Sequence, residues 1–173
     1  ACLAGLPATA ETPPFRANPY SATSSDAARA DAVKNLPMEK FSPQQQAKVA
    51  KVLQEAKIFR RMPLRVIQCD PDLYLFLVRH PDVVVNIWEV LGVSEMQLSQ
   101  TGPDRFRMVD GQGTSADLRF IYKAHDQHII YVEGAYDGPL FIKPVRGNGL
   151  MILRTSYVRE PDGRHFRARV VAG

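Results

Sequence analysis

Few side chains in this sequence sit at spacings that could do chemistry. His125 and His128 form an H-x-x-H pair with Asp126 between them, the donor types a zinc site uses. A zinc site also needs a third and a fourth ligand, and no further donor points there, so the pair reads as a solvated hairpin tip. Cys69, beside Asp70, would be a nucleophile with His80 as base if its setting lowered the thiol pKa. It ends an apolar strand, where a buried inert thiol is the commoner state. Gly111-Gln112-Gly113-Thr114 has the glycines of a phosphate loop but lacks its Lys and its strand-to-helix setting. Glu133 and Asp137 are close enough for a paired acid and base, yet Asp137-Gly138-Pro139 is a turn signal, and such a pair needs one desolvated member. No catalytic residue, metal or cofactor follows from these patterns.

Arg105, Arg107, Arg119, Arg167 and Arg169 share one parity along successive strands. They would gather on one sheet face, to meet an anionic surface or to pair with carboxylates. The 22 basic residues are interleaved with 18 acidic ones, giving a net charge of +4. That balance, without aromatic residues on the arginine parity, excludes a nucleic-acid partner.

The elements that position these residues are legible in order. Ser42-Pro43-Gln44-Gln45 holds a cap, a proline for the first helical position and a capping-box Gln, and predicts a helix from Pro43 to about Lys57. Leu64–Cys69 is a short strand. Asp70-Pro71 starts a helix to Val78, and His80-Pro81-Asp82 starts another to Leu91, with Val84, Ile87, Trp88 and Leu91 along one face. From Glu95 onward the chain alternates with period two: 95–100, 105–110, 115–124, 128–135, 149–157 and 165–171. The fold class is therefore α+β: a curved antiparallel sheet of about six to seven strands, with short helices packed on one face.

Upstream, residues 1–10 end in Ala8-Thr9-Ala10, the A-x-A pattern of a signal-peptide cleavage site, with Cys2 as an alternative lipid anchor. This implies an exported protein, periplasmic or on the cell surface. Residues 11–40 are rich in Pro, Ala, Ser and Asp and are expected to be a flexible tether, with at most a weak helix from Ser25 to Asn35 that Pro37 would end, leaving 41–173 as the domain. No apolar run reaches the about 18 residues of a membrane helix.

One strand, two short helices and then successive strands, over Leu64–Val171, resemble the helix-grip fold of the START and pollen-allergen-like lipid-binding superfamily. His80-Pro81-Asp82-Val83-Val84-Val85-Asn86-Ile87-Trp88 is similar to the start of the second helix there. In that fold a sheet wraps a long C-terminal helix around an apolar cavity; here Pro43–Lys57 would have to supply the cover. The chain is also similar to uncharacterised exported bacterial proteins. The resemblance implies a non-catalytic, extracytoplasmic module binding a hydrophobic small molecule or lipid. Trp88, Phe106, Met108, Leu118, Phe120, Tyr122, Val132 and Ile152 are expected to line the cavity. A structural or assembly protein of the cell envelope, with an envelope protein as partner, is the alternative; a hydrolase is a distant third.

Overall fold

The computed structural model describes residues 20–140, 143–159 and 166–173. The signal-peptide and lipid-anchor readings fall outside them. Helix α1 (Asp26–Lys34) is followed by a single 3-10 turn (Met38–Lys40), then α2 (Pro43–Glu55), β1 (Arg65–Gln68), α3 (Pro71–Arg79) and α4 (Pro81–Val90). Six further strands complete the chain: β2 (Gln97–Gly102), β3 (Arg105–Val109), β4 (Thr114–Lys123), β5 (Gln127–Tyr136), β6 (Val145–Arg159) and β7 (Phe166–Ala172). The fold is α+β with one open antiparallel sheet, in the order β1-β7-β6-β5-β4-β3-β2.

The helix starts follow local chemistry. Ser42 Oγ accepts from Gln45 N at 3.3 Å while Gln45 Oε1 accepts from Ser42 N at 2.8 Å, a complete capping box with Pro43 in the first turn. The Asp70 carboxylate accepts from Asp72 N and Leu73 N at 2.9 and 3.0 Å, so α3 begins where the carboxylate meets otherwise unpaired amides. Gly92, at φ 66°, follows the end of α4 in the left-handed region.

Helices cover both faces of the sheet, which corrects the expectation of helices on one face. On one face Val49 of α2 packs with Ile129, Ile152, Ala32, Leu36 and Phe41. On the other, Val85 of α4 packs with Leu98, Phe106 and Phe120, and Tyr74 of α3 meets Thr155 and Tyr157. Adjacent residues of a strand point to opposite faces, so Ile129 and Ile130 feed different cores. The face α4 turns inward is that of Val85. The expected stripe of Val84, Ile87, Trp88 and Leu91 has its last three members exposed, because a helix apolar nearly all round has no unique inward face by periodicity.

The expected tether departs from the structure in its later part. Ser25 caps α1 through Ala28 N at 3.3 Å, and Ala28, Ala32 and Leu36 are buried. Two small alanines let α1 approach closely without the bulky periodicity that marks a helix in sequence. Polar links from distant segments then fasten it. Arg29 donates to the main-chain oxygens of Leu53 and Ala56 at 3.2 and 3.0 Å. Arg61 reaches Ala28 O at 2.8 Å and the Asp31 carboxylate at 2.5 Å. Among the described residues, no helix is long and apolar enough to cross a membrane.

Candidate functional site

The eight residues expected to line one cavity are divided between the two faces. Phe106, Met108, Leu118 and Phe120 belong to the α4 side, and Val132 lies opposite Leu118 in the ladder. Tyr122 and Ile152 belong to the α2 side, where Tyr122 meets Phe41 edge-on at 6.4 Å. A register shift between Phe120 and Tyr122 separates two residues that simple alternation would place together. Ile152 sits opposite Ile129, one residue out of phase with Val132 on β5. Phe106 and Phe120 are 3% and 6% exposed, edge to face at 6.1 Å, with their rings in a packed core. Trp88 is 42% exposed on α4.

Open space lies instead on the other face. A groove of about 870 Å³ runs between α1 and α2, the segment after α2, and the first half of β6. Leu53, Ile58, Phe59, Val145, Leu150 and Ile152 give it apolar walls, and Lys57, Glu55 and Arg146 carry charge at its margin. Ile152 is the member of the predicted set that borders it. Ile58 is 88% exposed, a large aliphatic side chain held in water beside an apolar groove. Arg29 sets the wall: its two bonds to the last turn of α2 fix where the chain leaves that helix toward Ile58.

The floor of the groove is an unusual stretch of strand. Val145-Arg146-Gly147-Asn148-Gly149 has the composition of a loop, and the sequence predicts β6 to begin at Gly149. The strand begins at Val145 and pairs with β5 along its first two thirds, from Tyr136↔Val145 to Gln127↔Arg154. On its other side, β7 pairs from Leu153 onward, and Ile152 exchanges hydrogen bonds with Gly173 at 2.7 and 3.0 Å. Among the described residues no strand lies beside 145–151 on that side. Antiparallel bonding alternates, so the N–H and C=O groups of Leu150, Asn148 and Arg146 point to the open edge, as those of Ile152 do toward Gly173. A Cβ added at Gly147 or Gly149 would meet nothing within 4 Å.

A smaller cleft of about 370 Å³ holds two of the arginine set, Arg105 and Arg119. Arg105 and Arg119 face one another across β3 and β4, and Phe106 and Leu118 border the cleft from below. Arg107 bonds Asp117 at 2.6 Å. Lys48 lies 3.3 Å from Glu133 and 4.8 Å from the Tyr131 ring centre, while Tyr131 OH donates to Glu133 at 3.2 Å. Burial, and then the Glu133 charge, push the Tyr131 hydroxyl pKa up. The side chains of Arg167 and Arg169 lie outside the described residues.

The remaining candidates fall apart chemically. His125 lies tilted against Tyr157 with ring centres 4.5 Å apart, while His128 is fully buried against Phe120, and neither ring nitrogen of His128 has a hydrogen-bond partner among the described residues. Burial, with the Arg79 and Lys123 charges, lowers the His128 pKa to about 4, so it sits in the fold as neutral imidazole. No group of His, Cys, Asp or Glu among the described residues is placed to hold a metal ion. Burial and Asp70 raise the Cys69 pKa, the opposite of an activated thiol, and His80 lies against Phe76 at 4.5 Å. Asp110 accepts from Gln112 N and Thr114 N, both at 2.8 Å, which makes 110–114 a closed turn. Gly113 is required there: at φ 103° its Cβ would lie 2.7 Å from Asp137 O.

Sequence reasoning missed Arg29, Ile58, Phe59 and the start of β6. The signals that were available are the isolated apolar pair Ile58-Phe59 in a basic segment and the valine ahead of the Gly-Asn-Gly run. Compared with known proteins, the chain matches no family, no curated protein and no solved structure.

Proposed function

We propose that this protein is a non-catalytic binding module that takes an apolar or amphipathic ligand in the groove between α2, the Ile58-Phe59 segment and β6. The observation that carries this reading is the groove itself, with a largely apolar lining and a few charged side chains, Arg29, Glu55, Lys57 and Arg146, among it, the composition expected of a ligand site. The helix-grip likeness belongs to the same reading, and α2 laid across the sheet through Val49, Ile129 and Ile152 supports it. The Ala8-Thr9-Ala10 pattern supports a setting outside the cytoplasm.

Titration with the anionic apolar dye anilinonaphthalene sulfonate tests the site. The dye should fluoresce on binding the folded protein, and Ile58→Asp should weaken binding by about tenfold, near 1.4 kcal/mol, without lowering Tm. Equal binding by the variant would remove the groove as the site.

A second reading, an assembly protein of the cell envelope, is favoured by a different surface. Ile87, Val90, Leu91 and Val93 at the end of α4 are exposed together. Such a cluster suits a protein partner.

A further inference from the structure

We propose that the groove's ligand is an extended polypeptide strand that pairs with the open edge of β6, in line with β7. The inference rests on the reading of the groove as a ligand site and deepens it by naming the ligand class. Three observations carry it. The main-chain groups of Arg146, Asn148 and Leu150 point into the groove's open side, and β7 already uses the same edge up to Ile152. A sheet edge that ends in mid-strand is a template for another strand. Gly147 and Gly149 carry no side chain, and the space where a Cβ would stand is open, so an added strand meets no side chain from these two positions on the face opposite the groove.

The side chains of the groove define the peptide. Alternate residues of an added strand would face Leu53, Ile58 and Phe59, and these should be aliphatic. Lys57 and Arg146 outnumber Glu55 among the exposed charges at the margin, which favours acidic residues at the ends of the peptide. An aliphatic lipid would satisfy the apolar wall but leave the edge amides and carbonyls without strand partners.

A blocked heptapeptide with Val and Leu at alternate positions, Thr between them and Glu at both ends serves as the probe. It should bind the full chain and slow hydrogen exchange at the Arg146, Asn148 and Leu150 amides. Asn148→Pro removes an N–H that β5 does not use, so the sheet should keep its Tm while peptide affinity falls at least tenfold. Should that variant fail to fold, the same peptide N-methylated at alternate residues gives the test on the unaltered protein, and its binding should be lost. Binding of the dye or of sodium decanoate without any binding of the peptide would overturn the strand assignment and leave the groove reading intact. Peptide binding unchanged by Asn148→Pro and by N-methylation would also overturn it. Self-association of the protein abolished by Asn148→Pro would make the occupant a second copy and overturn the peptide assignment.

Discussion

Ile129 and Ile130 are neighbours in β5 and serve different cores. Ile129 is fully buried against Val49 of α2, and Ile130 packs with Phe120 beneath α4. The sheet is thus a shared wall between two packed layers, and a ligand site must lie where one of those layers is incomplete. On the α2 side the layer is incomplete over the first half of β6.

Both layers should behave as filled core. Phe120→Ala and Ile129→Ala should each cost the full ~2–5 kcal/mol of a large-to-small change in a packed interior. Val49→Ala and Phe106→Ala share no packing partner, so their effects should add to within about 0.5 kcal/mol. Urea unfolding of the single and double variants measures this. A cost well below that range for Phe120→Ala would mean that the α4 side holds open volume.

Helix α1 is expected to be part of the folded unit. Arg29→Ala should destabilise by about 1–3 kcal/mol, since it leaves the Leu53 and Ala56 carbonyls without their charged donor. Arg29→Lys should recover little, because both bonds come from one guanidinium nitrogen, Nη2, and the ammonium of the shorter lysine chain stands one bond short of its position. Trypsin should cut within residues 26–36 faster in the Ala variant than in the parent. Equal stability would return α1 to the status of a tether.

How far the sequence carried the fold depended on local chemistry. The cap residues Ser42 and Asp70 and the alternation in β3 to β5 are decided within a few residues, and those elements lie close to where the pattern placed them. Which face a strand residue serves is decided by pairing with a distant strand. Tyr122 and Ile152 were assigned to the wrong partners because one bulge and one register step are invisible locally. α1 reads in the sequence only as a weak helix outside the domain because its buried face is alanine, and its fastening comes from Arg61 and Arg154 far along the chain. The groove was illegible for the same reason: it is defined by the place where β7 stops pairing with β6.

Acid should destabilise the fold through His128. Its pKa is about 4 folded and near 6.5 unfolded, so between those values the unfolded chain binds more protons. The neutral ring's contribution is complete above about pH 6.5 and is lost as the pH falls toward 4. The change amounts to roughly 3 kcal/mol across that window. The nearby charges are Arg79, Lys123 and Asp126, with His125 beside them. His128→Phe should flatten the dependence of Tm on pH between pH 4.5 and 6.5. An unchanged slope would assign the acid sensitivity to other groups.

Cys69 should be a slow thiol. In a Cys2→Ser background, alkylation by iodoacetamide at pH 7 should run below the rate of free cysteine, because burial and Asp70 hold the thiol protonated. A faster rate would reopen nucleophilic chemistry at this position.

The most direct test of the account is to watch where an apolar ligand lands. Isotope-labelled protein titrated with sodium decanoate, followed by two-dimensional amide NMR, reports each residue separately. The account predicts shifts centred on Leu53, Ile58, Phe59 and Leu150, with Phe106 and Phe120 unmoved. Shifts centred on Trp88, Phe106 and Phe120 would contradict it and put the ligand beneath α4.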